Sequence, residues 1–365
     1  MSLKKLHIRG VRNLQSVLLD DCGHINIFTG SNGSGKTSIL EAIYILGSAR
    51  SFRSVRLGQV INHLATRCVV YGELEHVAGQ TKGSVGVMRS RGEQQLFKIN
   101  GHPVHAAAQL AGLLPQQLIN ADTFSLLEGG ARVRRQFLDW GVFHVEPDFL
   151  SCWRRAQRAL KHRNGLLRRG RMSAEEMQPW DTELAACAEI IDRMRAAYLR
   201  RLRPVFLQEL GALTLLERPD IEYHRGWPAD SSLEQVLRRD LPRDTRRGLT
   251  HSGPHRADLD IRIEGRSAEQ VLSRGQEKLL VCALRLAQGI LLHELTGKTC
   301  IYLVDDLPSE LDMHHRRALC LRLAGMRSQV FVTATDAESL RGCWGDAQTT
   351  RLFHVERGMV VAADT

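Results

Sequence analysis

One glycine-rich stretch of the sequence has the residue types and spacing of a phosphate-binding loop. Residues 30–37 read GSNGSGKT and match the pattern G-x-x-x-x-G-K-S/T in full. The glycines allow backbone N–H groups to surround phosphate oxygens, Lys36 can reach the β- and γ-phosphates of a nucleotide, and Thr37 can ligate Mg²⁺. The predicted nucleotide-binding residues of this loop are Gly30, Ser31, Asn32, Gly33, Ser34, Gly35, Lys36, Thr37 and Ser38.

Two adjacent carboxylates follow an apolar run near the other end of the chain, where residues 300–306 read CIYLVDD. An apolar strand that ends in an acid is the usual partner of a phosphate-binding loop, so Asp305 is predicted to hold Mg²⁺. Asp306 is predicted to orient the attacking water or to accept its proton. Motor-type ATPases usually carry glutamate at this position, and the side chain of Asp306 is one methylene shorter. We therefore expect slow nucleotide hydrolysis. The alternative is a strand that simply ends in solvated carboxylates.

A second anion-binding feature lies in residues 272–280, LSRGQEKLL. A serine and a glycine at the start of an apolar helix present a hydroxyl, free N–H groups and the positive end of the helix dipole. Ser273, Gly275 and Gln276 are therefore predicted to bind a nucleotide phosphate. The alternative is an ordinary core helix that Ser273 caps.

Composition restricts the class of protein. The chain has 365 residues, a formal net charge of +10 and only 5% aromatic residues, which favours a polyanionic partner and disfavours base-stacking surfaces for single strands. Its eight cysteines contain no C-x-x-C pair, so a cysteine-ligated metal site and a disulfide framework are not expected. The N-terminus lacks an apolar signal region, and Arg285 and Gln288 interrupt the most apolar helix. We expect a cytoplasmic protein without a membrane span.

Alternating and apolar runs predict an α/β protein. Strands are predicted at 3–9, 16–19 and 24–30, antiparallel strands between 68 and 99 with a turn at 100–101, and a helix at 37–46. Residues 122–248 are rich in Arg and Leu and predict helices, with breaks at Pro147, Gly170, Pro179 and Pro204. Strands and helices alternate again in 258–263, after 273, and in 300–306, 313–324 and 328–334. We therefore predict one α/β lobe, lobe I, from residues 1–121 and 249–365, with an inserted helical lobe II, residues 122–248.

The inserted lobe is the predicted contact with DNA, because its basic side chains could read duplex phosphates without sequence specificity. Positions 154, 158 and 161 share one helical face. The predicted DNA-binding residues are Arg132, Arg134, Arg135, Arg154, Arg158 and Lys161, within a wider basic set that includes Arg155 and Arg163. The alternative is a solvated face that Glu175, Glu176, Glu183 and Glu189 neutralise.

These features together resemble ABC-type ATPases, in which the LSRGQ-like signature closes on the γ-phosphate of a second subunit. The chain has too few residues between the loop and the acids for a long coiled coil, and it resembles the RecF family of recombination mediators over essentially its whole length. The segments that carry the resemblance are 6–14 (LHIRGVRNL), 40–53 (LEAIYILGSARSFR), 132–140 (RVRRQFLDW), 252–259 (SGPHRADL) and 305–312 (DDLPSELD).

The resemblance implies a P-loop NTPase fold of the ABC-ATPase-head type and a function. ATP and Mg²⁺ would join two copies into a dimer that clamps duplex DNA at single-strand gaps. The dimer would help to load RecA together with RecR- and RecO-type mediators, and a weak, DNA-stimulated ATPase would release it. A role in DNA replication restart and the SOS response to DNA damage, in the cytoplasm at the nucleoid, follows from the same resemblance. Arg12 and Arg53 would contact the nucleotide.

Some positions depart from the family, and two other functions compete. Ala121 and Ala131 stand where proline is frequent, and Thr333, Thr335 and Asp336 follow the strand after which many ABC ATPases carry histidine. One alternative is the ATPase subunit of an ABC-type transporter, against which the helical insertion and its basic residues argue. The other is a small-molecule P-loop kinase, in which the signature would have no role.

Overall fold

The computed structural model describes residues 2–75, 82–92, 94–170, 173–216, 219–345 and 349–363. The strands are β1 (Ser2–Val11), β2 (Leu14–Leu19), β3 (Ile25–Thr29), β4 (Arg67–Glu75), β5 (Lys82–Ser90), β6 (Gln95–Ile99), β7 (His102–Val104), β8 (Gln116–Ile119), β9 (Asp220–His224), β10 (Asp258–Ile263), β11 (Arg266–Ser267), β12 (Ile301–Val304), β13 (Gln329–Ala334), β14 (Thr350–Glu356) and β15 (Met359–Ala363). The helices are α1 (Lys36–Ser48), α2 (Ala107–Leu113), α3 (Gly130–Val145), α4 (Phe149–Arg169), α5 (Ala174–Leu213), α6 (Leu233–Arg247), α7 (Ala268–Val271), α8 (Arg274–Thr296), α9 (Leu307–Glu310) and α10 (Met313–Ala324).

The chain divides into two compact units, and the first contains both ends of the sequence: Met1–Phe124, Glu209–Leu215 and Lys278–Thr365. Its central sheet has the order β15-β14-β3-β13-β12-β8 and is parallel except for β15. Every residue of β3, β12 and β13 is buried, as in a parallel sheet that is covered on both faces. The carboxyl ends of these three strands therefore meet at one edge, where open α/β sheets bind ligands.

An antiparallel sheet of order β2-β1-β4-β5-β6-β7 completes this unit. Its buried side chains, such as Leu6, Ile8 and Val70, share one apolar core with Ile39 and Ile43 of α1. The predicted turn between β6 and β7 is confirmed: Asn100 and Gly101 both have positive φ, 52° and 80°, as a tight hairpin requires.

The second unit comprises Ser125–Gln208 and Leu216–Glu277. It is mainly helical, but it also holds the sheet β11-β10-β9, of which the sequence pattern does not predict β9. Residues 249–277, which the sequence placed in lobe I, belong to this unit. The reason is that β10 pairs with β9 along Asp258–Arg262, so the strand joins the middle of the chain rather than the main sheet.

Two of the four predicted helix breaks are wrong. Pro147 lies between α3 and α4, and Gly170 ends α4 with a left-handed φ of 68°, as expected. However, α5 continues through Pro179 and Pro204. Tertiary packing overrides the local cost of proline, since the side chains around Pro204, such as Leu202 and Phe206, are fully buried.

One helix, α8, is long and apolar enough to cross a membrane by length and composition alone, but 67% of its most apolar window is buried inside the protein. Leu280, Ala283 and Leu286 are among its fully buried residues, as expected for a core helix.

A buried ion network holds the second unit together around Arg163, which has no exposed surface. Its guanidinium donates to Asp181 at 2.6 Å, Asp244 at 2.8 Å and Thr250 at 2.7 Å. Removing one partner of a buried pair leaves an uncompensated charge. Arg163, which the sequence placed in the wider basic set, is therefore a structural residue whose buried side chain is not available to DNA.

We expect Arg163→Ala to lower the free energy of unfolding by about 3–5 kcal/mol. The matched control is Arg158→Ala on the same helix, whose side chain is exposed and should change stability by less than about 0.5 kcal/mol. Urea denaturation followed by circular dichroism measures both. Equal destabilisation by the two variants would contradict the structural role of Arg163.

Candidate nucleotide-binding site

The glycine-rich loop joins β3 to α1 and has the backbone that only glycine supports at two positions. Gly30 has φ 147°, and a Cβ there would lie 2.1 Å from the carbonyl oxygen of Val355. Gly35 has φ 122°, and a Cβ there would lie 2.9 Å from Leu14. The loop therefore curls tightly at the edge of the sheet, with the start of α1 directly behind it.

Lys36, the first residue of α1, folds back over this loop. Its Nζ donates to the carbonyl oxygens of Gly30 at 2.6 Å and Ser31 at 3.0 Å. Burial lowers the pKa of Lys36, and the nearby Asp306 and Asp305 oppose that shift. The ammonium group thus lies where triphosphate oxygens could replace its carbonyl partners.

Three strand ends bring a hydroxyl pair and a carboxylate together. Thr37 Oγ1 donates to Asp305 Oδ1 at 3.0 Å, and Thr333 Oγ1 donates to the same oxygen at 2.8 Å. Burial raises the pKa of Asp305, while the hydrogen bonds from Thr333 and Thr37 oppose the shift. A threonine hydroxyl and a carboxylate at this separation fit the oxygen ligands of one Mg²⁺ ion.

Two buried polar atoms near this pair lack a hydrogen-bond partner within the described part of the chain. They are Ser34 Oγ, in the loop, and Asp306 Oδ1. Asp306 has a left-handed backbone, φ 50°, and its N–H donates to Thr333 Oγ1 at 2.8 Å. Because buried polar groups are normally satisfied, the Asp306 oxygen, which lines the cleft, fits a bound water molecule, and the Ser34 hydroxyl in the loop fits a phosphate.

Lys36, Thr37, Asp305, Asp306 and Thr333 line one cleft of about 500 Å³, within the size range of nucleotide and cofactor pockets. The structure brings the loop, both aspartates and several other side chains to it. The lining residues are Arg12, Asn13, Asn32, Gly33, Gly35, Lys36, Thr37, Ser38, Arg53, His63, Asp305, Asp306 and Thr333.

Arg12 lies at the cleft but is largely engaged within the protein. It forms a bidentate pair with the fully buried Glu41, at 2.9 and 2.8 Å, and donates to Ser54 Oγ at 2.7 Å and to the Gln59 carbonyl at 3.0 Å. A guanidinium has five N–H donors, so one remains for a nucleotide. Among the described residues, the Arg53 side chain has one ion-pair contact, with Glu41 at 3.5 Å, and it is the freer cation of the two.

Comparison with known proteins assigns the family. A family model described as "RecF/RecN/SMC N terminal domain" matches residues 2–361. The chain is 50% identical over 99% of its length, and 98% of theirs, to proteins named DNA replication and repair protein RecF from Pseudomonas fluorescens strain Pf-5 and Pseudomonas syringae pv. syringae strain B728a. This chain belongs to the RecF family. The family supports the DNA-repair interpretation and not the transporter alternative.

Solved structures agree on the fold. A structure titled as the recombination mediator protein RecF with ATP in the RecFOR pathway superposes with a TM-score of 0.88 at 23% identity, over 99% of this chain and 97% of that one. An SMC head bound to the C-terminal winged-helix domain of ScpA gives 0.60 at 14% identity, over 100% and 98%. The RecF-family chain therefore has the predicted ATPase-head fold.

The signature Ser273 stands exposed at the head of α8, in the second unit. Its N–H donates to Gln276 Oε1 at 2.9 Å, and Gln276 N–H donates to Ser273 Oγ at 3.4 Å, which is a reciprocal cap. A Cβ added at Gly275 would meet no atom within 4 Å. Arg274 pairs with Glu128 and, at 3.7 Å, with Glu277. Ser273 therefore caps α8, and the surface at Gly275 is also open to a ligand. The geometry is compatible with both interpretations of this segment.

The predicted DNA-binding residues separate into two groups. Arg134 pairs with Asp258 at 2.8 and 2.9 Å, and Arg135 donates to the Ala257 carbonyl at 2.6 Å, so these two hold α3 against β10. Arg132 is exposed. So are Arg154, Arg158 and Lys161, which form one exposed row on α4 that we name the α4 basic stripe. Their neighbour Arg155 is instead paired with Glu183.

Proposed function

We propose that this RecF-family protein is an ATP-dependent DNA-binding protein of recombinational gap repair. ATP joins two copies, which clamp duplex DNA beside a single-strand gap and help to load the strand-exchange protein RecA. The single observation that carries the proposal is the Thr37–Asp305 contact inside the phosphate-loop cleft, because it joins the parts that an ATP-gated switch needs. The name of the relatives, DNA replication and repair protein RecF, supports the DNA-repair role.

We propose separate roles for the side chains of the cleft. Gly30, Gly33 and Gly35 let the loop N–H groups reach the phosphates, and Lys36 balances charge on the β- and γ-phosphates. Thr37 and Asp305 would hold Mg²⁺, which neutralises the charge of these phosphates. The unpaired Oδ1 of Asp306 would orient the attacking water or accept its proton. Because the side chain of Asp306 is short, ATP hydrolysis would be slow. DNA binding would stimulate it.

The dimer would complete each site. Ser273, Gly275 and Gln276 of one copy would meet the γ-phosphate bound by the other copy, so that ATP links the two. In this scheme RecR- and RecO-type mediators bind the clamp, and the protein acts at the nucleoid in the cytoplasm, in replication restart and SOS induction.

ATP-gated DNA binding is tested with a gapped duplex at fixed salt. Fluorescence anisotropy should give tighter binding of the gapped DNA with ATP and Mg²⁺ than with ADP and Mg²⁺. Equal affinities for gapped DNA in the presence of ATP and of ADP would contradict the ATP-gated clamp.

The α4 basic stripe is our proposed DNA contact. Replacing Arg154, Arg158 and Lys161 together with glutamine should reduce the slope of log affinity against log salt by about three, since each phosphate contact contributes about one. The matched control replaces Arg238, Arg239 and Arg243 on α6 with glutamine. These are exposed too, but they pair with Glu234 and Asp240. If both triple variants change the slope equally, the change results from the lower net charge of the protein, and the α4 basic stripe is not the DNA contact.

A further inference from the structure

The cleft is lined by more side chains than those of the phosphate loop and its acids. The phosphate loop, Asp305, Asp306 and Thr333 have the chemistry to bind phosphates and a cation. Four lining side chains remain for the ribose and base of a nucleotide: Arg12, Asn13, Arg53 and His63. The hydrogen bonds that each side chain already makes within the protein indicate which of them is available to contact the base.

Two of the four are already engaged. Arg12 uses four of its five donors inside the protein. Asn13 donates through Nδ2 to the Gly33 carbonyl at 3.2 Å and accepts at Oδ1 from Ser38 at 3.0 Å. The polar atoms of these two residues are therefore largely engaged in shaping the wall of the cleft, and neither residue carries an aromatic ring.

His63 lies in a short segment that is braced through its backbone. Asn62 N–H donates to the Gly10 carbonyl at 2.8 Å, and Asn62 Oδ1 accepts from Leu64 N–H at 2.9 Å. Arg91 donates to the carbonyl oxygens of Asn62 at 3.2 Å and His63 at 2.9 Å. The backbone is fixed by its neighbours, while the His63 side chain is exposed.

Among the described residues that line the cleft, His63 carries the one ring. A planar ring stacks on any nucleobase, because every base has a π-face. Arg53 is a cation and suits the phosphates by charge, whereas His63 offers a ring to the base. We infer that His63 stacks on the purine base of the nucleotide bound in this cleft, as a positioning residue for ATP.

The inference rests on the proposed function only in requiring that the cleft binds ATP. It is tested by calorimetric binding of ATP and of inorganic tripolyphosphate, each with Mg²⁺, to full-length variants. His63→Ala should weaken ATP binding by about tenfold and change tripolyphosphate binding by less than about twofold. His63→Phe keeps a ring and should bind ATP within about twofold of the unmodified protein.

The matched control is Leu64→Ala, a truncation of the neighbouring exposed side chain, which does not line the cleft. It should leave both affinities unchanged. Unchanged ATP binding in His63→Ala would overturn the inference, as would an equal loss for ATP and tripolyphosphate. A loss in His63→Phe as large as in His63→Ala would also overturn stacking. If the unmodified protein binds neither ligand, the proposed function itself fails.

Discussion

Replacing Lys36 with methionine is expected to lower the rate of ATP hydrolysis by about 10²–10³-fold, the loss typical when one preorganised donor to a developing charge is removed. Methionine has a similar unbranched stem and fills similar space, but it has no ammonium group. Residues 30–37 contain no other basic side chain, so the loop cannot replace the charge of Lys36, whose Nζ lies 2.6 Å from the Gly30 carbonyl oxygen. Phosphate release from ATP at saturating Mg²⁺ measures the effect.

The control for this variant is Lys98→Met, which removes an exposed lysine from β6 and should keep full activity. Circular dichroism establishes that both variants are folded. Hydrolysis within about twofold of the unmodified protein in Lys36→Met would mean that the cleft is not the ATPase site, because a functional loop lysine would cost far more.

The parts of the site that sequence predicted are those fixed by local pattern and strand order. The loop motif lies between a buried strand and a helix, and Asp305 follows a buried strand, so both had to appear at the carboxyl edge of one parallel sheet. Neither observation required knowledge of distant contacts. Thr333 reached the same edge because β13 lies between β3 and β12.

The parts that sequence did not predict depend on partners far away in the chain. The sequence around Arg134 and Arg163 does not predict their ion pairs with Asp258 and Asp244. Their positive charge therefore made them candidates for DNA binding. His63 was missed for the same reason, since no motif surrounds it. A histidine after an Asn in a polar loop carries no signal until Arg91 and Gly10 fix that loop beside the cleft.

Helices α8 and α6 begin with the same serine–glutamine cap. Ser273 and Ser232 each accept a hydrogen bond from a glutamine N–H three residues on, and each glutamine side chain accepts in return. If Ser273 only caps a helix, replacing either serine should have similar consequences, about 1 kcal/mol of stability. If Ser273 also meets the ATP of a second copy, the two variants should differ sharply.

Ser273→Arg is accordingly expected to abolish the ATP-dependent dimer, while Ser232→Arg should still form it. Light scattering should show the mass of the unmodified protein and of Ser232→Arg doubling with ATP and Mg²⁺. Ser273→Arg should stay monomeric although it binds ATP with unchanged affinity, since its own cleft is intact. If Ser273→Arg still dimerises with ATP, Ser273 only caps α8 and does not contact the ATP of a second copy. If no variant changes mass with ATP, gapped duplex is added, and a protein that remains monomeric there contradicts the dimer mechanism.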